Sequence, residues 1–209
     1  MSATIDHLVY ACPELAPAVD QIAEMIGVRP DYGGQHLGLG THNALLSLGH
    51  RIYLEVIAPD PGQPHPAEPL PFGLDELSVP SLRGWAAAPH DLDAVLRRSS
   101  AAGYDYGQVV AGQRRTADGQ ELRWRMTSPP RRAGLAVTPF LIDWAGGAHP
   151  SEDSPGGAAL AEFRLVSPEP KQLAAQLDVL GLDVDVDEAD QPALRAVLTG
   201  PEGRLVLGS

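Results

Sequence analysis

The sequence holds one cysteine, Cys12, and one lysine, Lys171, among 209 residues. A single thiol excludes an intrachain disulfide framework and a cysteine-based structural zinc site. Basic residues number 15 against 27 acidic ones, a formal charge of −12 with a pI near 4.8. So little positive charge argues against a general nucleic-acid or anionic-membrane binder, because phosphate contacts need clustered Lys and Arg. No apolar run approaches the roughly 18 residues of a membrane span. The stretch from Met1 to Asp6 has neither a basic n-region nor an apolar h-region, so a soluble cytoplasmic protein is expected. Also missing are a GxxxxGKS/T phosphate loop, a GxGxxG after a strand, a GxSxG elbow and an HExxH helix. The usual nucleotide, serine-hydrolase and zinc-protease signatures are therefore out.

Gly (22) and Pro (20) are plentiful, and periodic apolar segments run between them, which indicates many turns rather than disorder. The segments repeat. Ile5 to Tyr10 reads as a strand, and a helix follows from Leu15 to its stop at Gly27. Gly84 to Ala88 reads as a strand before a helix opened by Asp91 and ended at Gly103. Phe163 to Val166 precedes a third helix, which stops at Gly181. Pro and acidic residues open the helices and a glycine closes each one. The matching leucines Leu15, Leu92 and Leu173 lie roughly 80 residues apart, the length of a small α+β module rather than of a solenoid repeat. Further strand-like runs after each helix make every copy β-α-β-β-β. The expected division is a first module over residues 1–58, a Pro-rich linker over 59–81, a second module over 82–145, a linker over 146–159 and a third module over 160–209. Such sheets pair to cover a face. The third must therefore cover another surface of the chain or meet a second chain as a homodimer.

Strand alternation sorts the candidate site residues. His7 shares a face with Ile5 and Val9, opposite Asp6, Leu8 and Tyr10. Glu55 shares a face with Tyr53 and Ile57. Each sits mid-strand in an apolar run, where an ionisable group is costly unless paired or metal-bound. A divalent metal held by imidazole and carboxylate (Zn, Fe, Ni or Mn) and a plain His–Glu hydrogen bond both satisfy this pattern. His42 and Asn43 follow the turn Gly38-Leu39-Gly40, as substrate contacts or as a turn cap. Arg123 and Arg125 share a strand face, either gripping an anionic group on a ligand or pairing with surface acids. His36, His50, His65 and His90 read as surface, and His149 as a loop residue at the edge of the site.

Three segments of the first module, Ile5-Asp6-His7-Leu8-Val9-Tyr10, Gly38 to Leu46 and Tyr53-Leu54-Glu55-Val56-Ile57, resemble a glyoxalase-like protein of the vicinal oxygen chelate superfamily. Ser81 to Ala86, Glu121 to Arg125 and Pro139 to Trp144 extend the resemblance through the second module. It implies an α+β fold in which two β-α-β-β-β modules form a cupped mixed sheet, here with a third related module. It also implies a metal ion in the cup that chelates adjacent oxygens of a small molecule. First and last strands of each module supply ligands in that superfamily, which points to His7 and Glu55, then to Trp85 and Asp143 in the second module. Trp85 cannot bind a metal, so the resemblance implies His7 and Glu55 as ligands, completed by Asp143 or by His42 or His149 in a two-His-one-carboxylate set. Glu55 would double as catalytic base, with His42, Asn43, Arg123, Arg125 and Trp85 as substrate contacts. The expected function is a metal-dependent lyase, isomerase or dioxygenase acting on a small oxygenated molecule. The alternative is a metal-free binding or resistance protein, holding its ligand among Tyr53, Trp85 and Trp124.

Overall fold

The computed structural model describes residues 2–115, 121–128 and 136–209. The first copy comprises β1 (Ala3–Ala11), α1 (Leu15–Ile26), β2 (Asp31–His36), β3 (Thr41–Ser47) and β4 (Tyr53–Pro59). The second comprises β5 (Ser81–Pro89), α2 (Leu92–Ala101), β6 (Val109–Arg115), β7 (Glu121–Thr127) and β8 (Phe140–Asp143). After a single turn, α3 (Pro150–Asp153), the third holds β9 (Ala159–Ser167), α4 (Pro170–Leu180), β10 (Asp185–Glu188), β11 (Ala193–Gly200) and β12 (Gly203–Gly208). Helix punctuation is local chemistry. Asp91 accepts the Ala94 N–H at the start of α2, and Gly27 ends α1 with a positive φ of 73° that a side chain would disfavour. Among the described residues no helix is long and apolar enough to cross a membrane.

The eight strands of the first two copies close a barrel in the order β1-β4-β3-β2-β6-β7-β8-β5. β4 runs parallel to β1 and β8 parallel to β5, while β1 and β5 pair antiparallel, so the two copies face each other. The seam opposite is thin. Among the described residues β2 and β6 share one register pair, Gln35 with Arg115, and the Arg114 guanidinium donates across it to the Gly33 carbonyl.

β2 is a strand that periodicity does not reveal. Its sequence, Asp-Tyr-Gly-Gly-Gln-His, has no apolar alternation, and it is a strand because β3 pairs along it. Gly33 is required there, because a Cβ would lie 2.4 Å from Asn43 Oδ1. The Pro-rich stretch over 59–81 is more than a spacer. It carries a kinked 3₁₀ segment, Pro71–Glu76, that buries Phe72 and Leu74 against the barrel interior.

The third copy forms a separate sheet, β10-β9-β11-β12. This sheet covers α1 and the outer face of β5 within the same chain. Phe163 meets Trp85 edge-on at 5.2 Å, the Glu202 N–H bonds the Ile26 carbonyl, and Leu165, Leu173, Leu194 and Leu205 join one core with Leu8, Ile22 and Leu82. Trp85 is fully buried in that outer core, with its indole N–H on the Val137 carbonyl. Its expected role as a substrate contact is therefore corrected: Trp85 is structural. Trp85→Ala is expected to destabilise the chain by about 3–5 kcal/mol in denaturant unfolding, a loss that a surface tryptophan would not show.

Candidate functional site

The barrel interior encloses a cavity of about 220 Å³. Its apolar walls come from Phe72, Trp124, Met126, Phe140, Ile142 and Trp144, and its polar end from His7, His36, Asn43, Glu55 and Arg114. His7 and Glu55 converge, with Nε2 3.8 Å from Oε2. Alternation along β1 and β4 turns both inward, beside Val9, Tyr53 and Ile57.

The next layer orients them. The β1–β5 register slips at Asp6, between Ile5 and His7. Such a bulge re-aims side chains, and it places Asp6 beside its neighbour instead of on the opposite face. Asp6 Oδ1 lies 2.6 Å from His7 Nδ1. Its Oδ2 accepts the Trp144 indole N–H at 3.0 Å and meets His149 Nε2 at 3.1 Å. Burial alone would raise the Asp6 pKa, but the bonds from His149 and His7 outweigh it and bring it down to about 2. An ionised acceptor requires the His7 proton on Nδ1, leaving the Nε2 lone pair facing the cavity. His7 also stacks on Tyr53 at 4.6 Å, and burial raises the Tyr53 pKa well above its ordinary value, so the phenol keeps its proton.

Asn43 divides its amide between two acceptors, Glu55 Oε1 at 2.7 Å and His36 Nε2 at 3.3 Å. His36 then bonds Thr41 Oγ1 through Nδ1 at 2.9 Å. Burial lowers the His36 pKa, against the opposing pull of Glu55, so this imidazole is neutral at pH 7. Asn43 is thus a clamp on Glu55. His36, which reads as surface in the sequence, is buried in the site, and so is His149 behind it. Arg114 and Asp6 are also residues that sequence reasoning missed. Arg114 lies on β6, and Val110 and Gly112 of the same strand also line the cavity.

The remaining expected contacts lie elsewhere. His42 points out of the barrel, where alternation turns it away as Asn43 turns in, and it lines a second, outer cavity with Asp60 and Gln63. Trp124 and Met126 take the inner face of β7, which leaves Arg123 outside with Glu121 at 3.2 Å and Arg125 outside with Asp93 at 2.7 Å. Asp143 lies between inward-facing Ile142 and Trp144, so it also points outward, accepting the Ala145 N–H and facing Arg125 at 3.8 Å. The proposed third ligand is therefore corrected: Asp143 does not share a centre with His7 and Glu55.

A sequence profile of the glyoxalase-like domain family matches residues 5–181. The chain belongs to the glyoxalase-like domain family. A hypothetical protein from Staphylococcus aureus matches all of this chain and 85% of its own, at 15% identity and a TM-score of 0.60, a likeness of fold alone. Methylmalonyl-CoA epimerase from Mycobacterium tuberculosis is 22% identical over 66% of this chain and 84% of its own, at a TM-score of 0.42. A methylmalonyl-CoA epimerase in complex with methylmalonyl-CoA and NH4+ is 19% identical over 72% of this chain and 100% of its own, at 0.47. No curated protein matches the chain.

In this glyoxalase-like barrel the register identifies the second copy's counterparts of His7 and Glu55. Leu15 and Leu92, which open α1 and α2, are 77 positions apart. The same shift carries His7 onto Gly84 and Val9 onto Ala86. The β1–β5 pairs agree, joining His7 with Ala86 and Val9 with Gly84. Glu55 pairs beside Val9 and Phe140 beside Ala86, so Phe140 is its counterpart. Neither Gly84 nor Phe140 can hold a metal, and the Phe72 ring fills the space that a Gly84 side chain would take, 3.2 Å from an ideal Cβ. The remaining donors His7 and His36 face different oxygens of Glu55, at 3.8 and 3.7 Å. Among the described residues no three His, Cys, Asp or Glu side chains are arranged around one point. The donor set does not fit a resident metal ion with three or more protein ligands.

The Asp6 bonds make stability depend on pH. Its folded pKa lies below the unfolded value near 4, so it contributes about 2 kcal/mol above roughly pH 4 and loses it as pH falls through 2. Asp6→Asn should flatten the acid limb of a stability–pH curve measured by denaturant unfolding.

Proposed function

We propose that the glyoxalase-like cup performs proton transfer on a small, enolisable carbonyl compound, without a metal. The observation that carries this reading is the Asp6–His7 pair: a buried, ionised carboxylate fixes the tautomer of an imidazole whose free Nε2 faces an apolar cavity. A general base needs that combination of reach, correct tautomer and exclusion of water. His7 Nε2 takes the proton from the carbon beside the carbonyl, and the C–H electron pair moves onto the carbonyl oxygen as an enolate. The imidazolium formed is flanked by Asp6 at 2.6 Å and Glu55 at 3.8 Å. Return of the proton, to the same carbon or to another, makes the net reaction an isomerisation or epimerisation. Asn43 holds Glu55 in place and is itself bonded to His36, and the aromatic wall keeps the ligand dry.

A second reading is a binding protein of the same fold. The paired aromatics favour it, Trp124 with Trp144 at 5.4 Å and Phe72 with Phe140 at 6.1 Å.

Proton NMR in D₂O separates the readings, with pyruvate, phenylpyruvate and hydroxyacetone as probes. The expected result is protein-accelerated loss of the α-C–H signals, unchanged by EDTA and slowed about 10²–10⁴-fold in His7→Ala. Exchange that stops in EDTA and returns with zinc or manganese would establish metal dependence. Ligand binding without exchange of any probe would establish the binding protein.

A further inference from the structure

Proton abstraction needs a group to receive the enolate oxygen, and neither His7 nor Glu55 supplies positive charge. Arg114 does. Its side chain is 6% exposed and lines the cavity. It shares the cavity lining with Glu55, Tyr53 and His36. A guanidinium carries five N–H donors in a rigid fork. Among the described residues its hydrogen bond is to the Gly33 carbonyl, which anchors one end of the fork. Across the cavity the second copy contributes hydrocarbon in place of polar groups, with Phe140 at the Glu55 position and Phe72 packed over Gly84. The cavity therefore has one polar end, where the Arg114 guanidinium and the Glu55 carboxylate both lie, and one aromatic end. At about 220 Å³ its interior has room for a single ring.

We propose that Arg114, instead of a metal ion, holds two adjacent oxygens of the substrate, and that the substrate class is a small 2-oxo acid with an aromatic or branched hydrocarbon tail. This rests on the proton-transfer reading and names its substrate. The guanidinium fork takes one carboxylate oxygen and the neighbouring keto oxygen in parallel, and the tail lies against Phe72, Trp124, Phe140 and Trp144. The substrate carboxylate pairs with the guanidinium through charge-assisted hydrogen bonds. The keto group acidifies the adjacent C3–H, which His7 removes. The electron pair then arrives on the oxygen that Arg114 already holds, and reprotonation at C3 or at oxygen completes a keto–enol exchange with no other reactant.

Isothermal titration of the full chain in EDTA tests this with three probes of similar shape: phenylpyruvate, 3-phenylpropionate without the keto oxygen, and benzyl methyl ketone without the carboxylate. Phenylpyruvate should bind at least tenfold tighter than either of the others. Arg114→Gln keeps an N–H for the Gly33 carbonyl but loses charge and fork, and should weaken phenylpyruvate at least 30-fold. Arg114→Lys keeps the charge alone and should weaken it about tenfold. Thermal unfolding establishes that each variant is folded; if the Gln variant is not, the Lys variant decides. Equal affinity for the three probes, no phenylpyruvate binding, or phenylpyruvate affinity within threefold of the parent in the folded variants would overturn the proposal. Phenylpyruvate held through Arg114 without deuterium exchange at C3 would retain the substrate class and remove the proton-transfer reading. Exchange untouched by Arg114→Gln would do the reverse.

Discussion

One buried carboxylate organises this protein's interior. Asp6 is enclosed between the two halves of the barrel, and an unpaired charge there would be prohibitive. Three ring nitrogens surround it, from His7 on β1, Trp144 just past β8 and His149 at the start of α3. These partners lie one, 138 and 143 positions away in sequence, so the cluster ties the chain's start to the end of its second copy. The same bonds that hold Asp6 ionised fix the proton on His7 Nδ1 and aim the other nitrogen into the cavity. Structural satisfaction and chemical readiness are a single arrangement here.

The cavity is the product of a broken symmetry. Two copies of one module meet about β1 and β5, and equal copies would place equal groups on both walls. The first wall carries imidazole and carboxylate, while the second carries Gly84, Phe140 and the intruding Phe72. Half of the ligand set that the family resemblance implies has thus become hydrocarbon. The donors that remain, His7 and His36, face different oxygens of Glu55. Positive charge enters from a different strand, through Arg114. Gly112 on that strand admits the Trp124 indole, whose ring atoms lie 2.2 Å from where a Cβ would stand. The site therefore favours a ligand with one polar and one apolar end.

Much of this was legible in the sequence. The repeated strand and helix segments and the sorting of side chains onto faces follow from helix punctuation and from the two-residue period of strands. The cupped pair of modules and the place of His7 and Glu55 in it follow from the family resemblance. The errors have specific causes. β2 has no apolar alternation, so His36 read as surface. The family resemblance points to Asp143 and Trp85 as ligand positions, whereas the β5–β8 and β1–β5 registers put Phe140 and Gly84 there. Arg123 and Arg125 were sorted correctly onto one face, and alternation alone does not say that Trp124 and Met126 take the inner side.

What the sequence determined by itself was local: which segments extend, where helices stop, and which side chains share a face, because these depend on residues a few positions apart. Only the tertiary structure decided how those faces meet. The bulge at Asp6, the closure of β2 on β6 that brings Arg114 to Gly33, and the burial of His36 and His149 all arise from contacts between distant segments. No periodicity records them, because strand register and barrel closure are settled by the packing of the whole chain.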